Sequence, residues 1–135
     1  MLRIRLQNDP NLKKLLEKIK SPRTLQRILS SIAIELKSST RARFFFSVDP
    51  EGRPWIPSRS ALKEGRRTLV KSGRLRDSVN TNVTTNKIEV GIPRATIYGK
   101  KFQLGIDGQE QREFLGLSDA DIKIIMKIIE RELRL

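Results

Sequence analysis

Residues 3–6 alternate basic and apolar as Arg3, Ile4, Arg5 and Leu6, which predicts a short strand with one buried face. Asn8-Asp9-Pro10 ends it. Leu12, Leu15, Leu16 and Ile19 then fall at helical spacing, the mark of a short amphipathic helix. Ser21 is a good N-cap and Pro22 suits the first helical position. Leu25, Ile28, Leu29, Ile32, Ala33 and Leu36 continue one apolar stripe at the helical period. They predict a helix from residue 21 to about 44, with Arg27, Lys37 and Arg41 on its polar face. Phe44-Phe45-Phe46 is too apolar to be wholly solvent-facing, so at least two rings are expected in the core and the third against a partner.

Asp49-Pro50 and Glu51-Gly52 mark turns. Trp55 lies between Pro54 and Ile56-Pro57, so its backbone is stiff and extended. Residues 58–67 predict a short helix ending near Gly65, and Ser72-Gly73 introduces a turn or helical segment through Asp77. From Val79 to Gly91 the pattern becomes β. Val79, Thr81, Val83 and Thr85 share one side of a strand, and Ile88, Val90 and Ile92 one side of the next. Thr85-Asn86-Lys87 is their hairpin connection. Residues 93–112 are turn-rich and polar, with Tyr98, Phe102 and Leu104 as anchors and an exposed, mobile loop over about 105–112. Ser118-Asp119-Ala120-Asp121 reads as a capping box that opens a final helix. Ile122, Ile125, Met126, Ile129 and Leu133 form its buried stripe, widened by Ile124 and Ile128. The order β-α-α-loop-β-β-α predicts a single α+β domain, a small antiparallel sheet packed against two longer helices.

Composition narrows the function. The 135 residues include no Cys, and a chain of this length buries its core without a metal or disulfide. No apolar run approaches the roughly 20 residues needed to span a bilayer, and the N-terminus lacks the apolar block of a signal peptide. A soluble protein made in the cytoplasm is expected, with no membrane partner. The formal charge is +13, unevenly spread. Residues 1–48 carry 11 basic and 3 acidic groups, whereas residues 113–135 carry 4 and 5. Such a balance calls for an anionic partner, nucleic acid or an acidic protein surface, or else is a solvated basic face.

Chemistry is sparse. With no His and no Cys, the usual general base, the usual nucleophile and most zinc ligands are missing. Asp119 with Asp121, and Asp49 with Glu51, are the available carboxylate pairs, but a helix cap and a turn account for them. The glycines occur singly, so no phosphate-cradling loop is formed. No enzyme activity, cofactor, metal or small-molecule substrate is expected. Arg66, Arg67, Lys71, Arg74 and Arg76 put five positive charges within 11 residues, a candidate surface for DNA or an acidic protein. Trp55, Phe46, Tyr98 and Phe102 are the candidate protein-interface residues.

Six phrases, in order, carry a resemblance. They are Arg41-Ala42-Arg43-Phe44; Asp49 to Trp55; Leu69 to Ser78; Val90-Gly91; Tyr98 with Gln103-Leu104-Gly105; and Arg112 to Ser118. From about Leu25 onward the chain resembles the phage virion morphogenesis family, or tail-completion proteins, of Mu-like tailed phages and prophages. It departs from the family's Tyr-Ala-x-x-His-Gln at Gly99 and Phe102, and has Glu110-Gln111 in place of Ile-Pro. The resemblance implies a structural protein of the virion tail or neck, present in the host cytoplasm during assembly. It implies partners among other tail or neck proteins, a homo-oligomeric ring such as a hexamer, and loose contact with DNA. A basic nucleic-acid-binding module without sequence specificity is the alternative.

Overall fold

The computed structural model describes residues 2–70, 72–84, 87–93 and 97–133, apart from the side chains of Leu2, Gln7 and Ile97. It is an α+β fold. Strand β1 (Leu2–Arg5) runs through a 3-10 turn at Leu6–Asn8 into α1 (Pro10–Glu17). The long helix α2 (Pro22–Phe46) follows, then the short helices α3 (Arg59–Glu64) and α4 (Arg74–Ser78). Strands β2 (Asn80–Val83) and β3 (Ile88–Ile92) precede α5 (Ile97–Leu104) and α6 (Asp119–Leu133). The sheet is antiparallel in the order β1-β3-β2. Ile4 stands opposite Val90, and Thr81 opposite Val90 from the other side.

Local chemistry sets most boundaries. Asp9 caps α1 by accepting from the N–H groups of Asn11 and Leu12 at 2.9 and 3.1 Å. Ser21 caps α2 through the Thr24 N–H at 3.3 Å, with Pro22 at the first position. Helix α2 runs two residues further than its apolar stripe predicts. It stops where Ser47 turns left-handed, at φ 55°. On the sheet, Ile88, Val90 and Ile92 are buried on one face, as their alternation predicts. Glu89 on the other face bridges Arg3 at 2.7 Å and Arg5 at 3.0 Å. Of the expected hairpin, Thr85 and Asn86 lie outside the described residues.

Helix α2 is 25 residues long, or about 37 Å at 1.5 Å per residue, and it joins two hydrophobic clusters. Its first half packs Ile28, Leu29, Ile32, Ala33 and Leu36 against α1, Ile88 and the α6 residues Ile125, Ile128 and Ile129. Its last turn adds Phe44 to a second cluster made by Trp55, Leu75, Val79, Val90, Ile92, Phe114 and Leu115. Each fully buried Leu, Ile or Phe contributes roughly 1.5–3 kcal/mol relative to exposure.

Four expectations need correction. The segment 93–112 is not all turn: residues 97–104 form α5. Gly99 lets this helix approach the sheet, since a Cβ there would come within 2.5 Å of Ile92 Cδ1 and 2.7 Å of Leu75 Cδ1. Leu104 is not an anchor; it is 48% exposed. Leu133 and Ile124 are exposed as well, so Ile125, Ile128 and Ile129 carry the α6 face. Finally, only Phe44 of the three consecutive rings is buried, while Phe45 and Phe46 are 59% and 67% exposed. Successive helical residues turn by about 100°, so three in a row cannot share one face.

Candidate functional site

The phrase Asp49–Trp55 folds around its own aspartate. The Asp49 carboxylate accepts from the Glu51 and Arg53 N–H groups at 2.9 and 2.8 Å and pairs with Arg53 Nε at 2.8 Å. Burial works against the ionised carboxylate, but these bonds outweigh it and hold its pKa below the ordinary value. Gly52 takes φ 84° in the turn. The chain then returns so that the Trp55 N–H reaches Ser47 O at 2.8 Å. Trp55 thereby points inward, with its ring edge-on to Phe44 at 5.6 Å and its Nε1–H donating to Glu113 O at 2.9 Å. It is 5% exposed. As a candidate interface residue it is therefore placed in the core, because the turn aims it there.

The other phrases close the same cluster with polar pins. Gln103 is buried; its Oε1 accepts from the Phe114 and Leu115 N–H groups, both at 2.9 Å, and its Nε2 donates to Leu115 O at 2.8 Å. Arg112 Nε donates to Ile56 O at 2.6 Å. Ser118 and Asp121 cap α6 reciprocally at 3.0 and 3.1 Å. Asp121 does more than cap. It also accepts from Ser39 Oγ and from Arg43 NH2, each at 2.6 Å, and Arg43 NH1 donates to Phe114 O at 2.6 Å. Arg43 and Asp121 side chains are 6% and 4% exposed. Burial pushes the Arg43 guanidinium down from its ordinary pKa, and the Asp121 carboxylate opposes the shift. Sequence reasoning gave neither residue nor Gln103 this role. A signal existed for Arg43, which continues the stripe of Leu29, Ala33, Leu36 and Thr40, and a charge on a buried stripe needs a buried partner.

With those phrases absorbed by the fold, two surface features gather most of the remaining candidate residues. The first is a cleft of about 500 Å³ beside α3, α4 and α5. Leu69, Leu75, Tyr98 and Phe102 form its apolar lining, Ser58, Ser60 and Ser72 supply hydroxyls, and Arg66 and Arg74 stand on it. Tyr98 and Phe102 meet edge-to-face at 6.4 Å. Leu69 holds φ at 66°, a left-handed conformation that costs a residue with a side chain of order 1–3 kcal/mol. Nothing in the sequence signals that strain. Arg66 is committed to Glu64 at 2.6 Å and Ser60 Oγ at 2.7 Å. The exposed Arg74 guanidinium has no hydrogen-bond or ion-pair partner among the described residues.

The second feature is an aromatic projection at the end of α2. Phe45 and Phe46 pack edge-to-face at 5.0 Å. Arg67 lies over the Phe45 ring at 4.4 Å and donates from Nε to Phe45 O at 3.2 Å. The five-residue basic cluster is thus divided. Arg66 and Arg74 face the cleft, Arg67 braces the projection, and Arg76 pairs with Asp77 at 2.9 Å. Lys71 lies outside the described residues. The candidate aromatics divide likewise: Tyr98 and Phe102 line the cleft, Phe46 projects, and Trp55 is core. Of the loop expected over 105–112, residues 106–111 are exposed, while Arg112 is buried.

Among the described residues, no three acidic side chains converge to hold a metal ion, and no helix is long and apolar enough to cross a membrane. The model of the phage virion morphogenesis family matches residues 6–134. No curated protein and no solved structure matches the chain.

Proposed function

We propose, from the premise that this chain belongs to the phage virion morphogenesis family, that it is a non-enzymatic assembly protein which completes the tail or closes the head–tail junction as one subunit of a ring. The family places it among phage structural and assembly proteins that work with other virion components. The finer reading rests chiefly on one observation. Phe45 and Phe46 are 59% and 67% exposed, yet Arg67 lies over the Phe45 ring and Phe46 packs edge-to-face on Phe45. An ordered apolar projection gains nothing in an isolated chain and suits burial against a neighbour. A head-to-tail ring contact would bury it against a different face of the next subunit.

This reading is favoured over a stand-alone nucleic-acid module by how the basic cluster is used. Arg66 and Arg76 are paired with Glu64 and Asp77, and Arg67 with an aromatic ring. Few of these charges are free to neutralise phosphates in a row.

The test is sedimentation velocity on the protein alone and on mixtures with tails that lack it, run beside a joining assay. The wild type should bind tail ends as a closed multimer. The double variant Phe45→Ser, Phe46→Ser should melt within about 1 kcal/mol of the wild type, as exposed substitutions do, and should fail to join tails. Normal joining by that variant, or sequence-specific duplex binding by a monomer, would sink the reading.

A further inference from the structure

We propose that the cleft beside α3, α4 and α5 receives an acidic segment of another virion protein, with a carboxylate on Arg74 and an apolar side chain against Leu69, Tyr98 and Phe102. The proposal rests on the assembly reading above for the kind of partner, but its chemistry comes from the cleft.

Volume is the first argument. About 500 Å³ falls within the range of sites that hold a small ligand or a few side chains, and a concave recess does not track a duplex backbone. Charge is the second. Arg66 is already neutralised by Glu64 at 2.6 Å. Arg74 is exposed and has no acceptor among the described residues. Among the described residues the recess therefore offers one uncompensated cation beside the apolar side chains of Leu69, Tyr98 and Phe102, which matches a carboxylate next to an apolar side chain. A nucleic acid strand would demand several free cations in line. An acidic segment is attracted to a chain at +13.

The lining is the third argument. The Tyr98 ring stands edge-to-face with Phe102 at 6.4 Å, and its hydroxyl makes no hydrogen bond among the described residues. An aromatic with an apolar body and a free polar tip suits the margin of a protein interface. Leu69 lines the cleft from a left-handed backbone at φ 66°, and such outliers concentrate at ligand clamps.

Fluorescence anisotropy on the full chain tests this. One probe is a labelled peptide of glutamate and aspartate with a central phenylalanine and leucine. Its control replaces the acids by glutamine and asparagine, and a third probe is oligothymidylate of equal length. The acidic peptide should bind at least about tenfold more tightly than its neutral control, as a desolvated charge-assisted contact provides. Arg74→Glu should weaken it about tenfold. Arg23→Glu, the same charge change at an exposed site on α2, should weaken it less than about twofold, the size of a screened surface effect. Phe102→Leu, milder than truncation to alanine, should also weaken it without unfolding the chain. Equal effects of Arg74→Glu and Arg23→Glu, equal affinity for the neutral peptide, or no binding at all would each overturn the proposal. So would oligothymidylate binding more tightly than the peptide and depending most on Arg74. The variant Phe45→Ser, Phe46→Ser should retain peptide binding, so failure of the cleft and failure of the assembly reading are told apart.

Discussion

The two hydrophobic clusters are built on different principles. The first, between α1, the first half of α2 and α6, has a buried core of Leu, Ile and Ala. Its order comes from periodic stripes on helices, and dispersion with apolar burial holds it. The second gathers Phe44, Trp55 and Phe114 with five aliphatic residues, and irregular chain supplies much of it. Polar bonds to buried groups hold that chain in place: Gln103 to 114–115, Arg112 to Ile56, Trp55 to Glu113, and Arg43 with Asp121. Both surface features adjoin the second cluster. Phe45 and Phe46 follow Phe44, and Leu69, Leu75 and Phe102 both belong to or pack on the cluster and line the cleft. The pinned half fixes the two parts proposed to meet a partner, because directional bonds fix position more sharply than packing does.

Removing the strongest pin gives the largest expected effect. Arg43→Met leaves Asp121 buried and without its cation, so it should destabilise the protein by about 3–5 kcal/mol. Arg43→Met with Asp121→Asn removes both charges; the amide oxygen can still accept from the Ser118 N–H, and its NH2 can donate to Ser39 Oγ in place of the present O–H bond. This double variant should recover at least half of that loss in urea unfolding, because the penalty belongs to the unpaired charge. A double variant no better than Arg43→Met would mean that the pin works by shape, and the contrast between the clusters would lose its basis.

The same contrast explains what was legible beforehand. Helix α2, the final helix and the alternation of Ile88, Val90 and Ile92 were readable because burial repeats with the backbone period. The caps at Ser21 and Ser118 were readable because they satisfy local N–H groups. Helix α5 was not: its sequence, IYGKKFQL, carries a weak stripe, and tertiary packing of Gly99 on Ile92 and Leu75 overrides it. At the candidate site, the residue types were legible and their grouping was not. Tyr98 and Phe102 join Arg66 and Arg74 in one cleft across 24 to 36 residues of chain through the fold of α4 and α5, and no local pattern carries that. Trp55 reads as an interface candidate in sequence, and only the Asp49 turn shows that it points inward.

A matched pair of substitutions sharpens the comparison at intermediate scale. Leu29→Met in the first cluster nearly conserves volume and should cost less than about 1.5 kcal/mol. Gln103→Met in the second changes volume little, yet it strands the Phe114 and Leu115 N–H groups and the Leu115 C=O. At about 1–3 kcal/mol for each unsatisfied buried group, it should cost at least about twice as much as Leu29→Met. Equal losses in denaturant titrations would show that both halves depend on volume alone.

The smallest effect concerns a group the pinned half tolerates rather than uses. Burial pushes the Glu113 carboxyl above its ordinary pKa of 4.5, and the negative charge of Asp49 adds to the shift, against Arg53 and Arg43. The folded state therefore holds its proton to higher pH than the unfolded state does. Well below 4.5 both states are protonated and the side chain costs nothing. As pH rises through 4.5 the unfolded chain is favoured by ionising first, and the penalty is complete once pH passes the raised folded value. Glu113→Gln removes the charge and leaves the backbone carbonyl that accepts from Trp55 Nε1. The variant should melt above the wild type at pH 7, with a gap that narrows as the solution is acidified and closes in the acid range. A gap independent of pH would assign the gain to packing; a gap that widens in acid would reverse the sign of the shift.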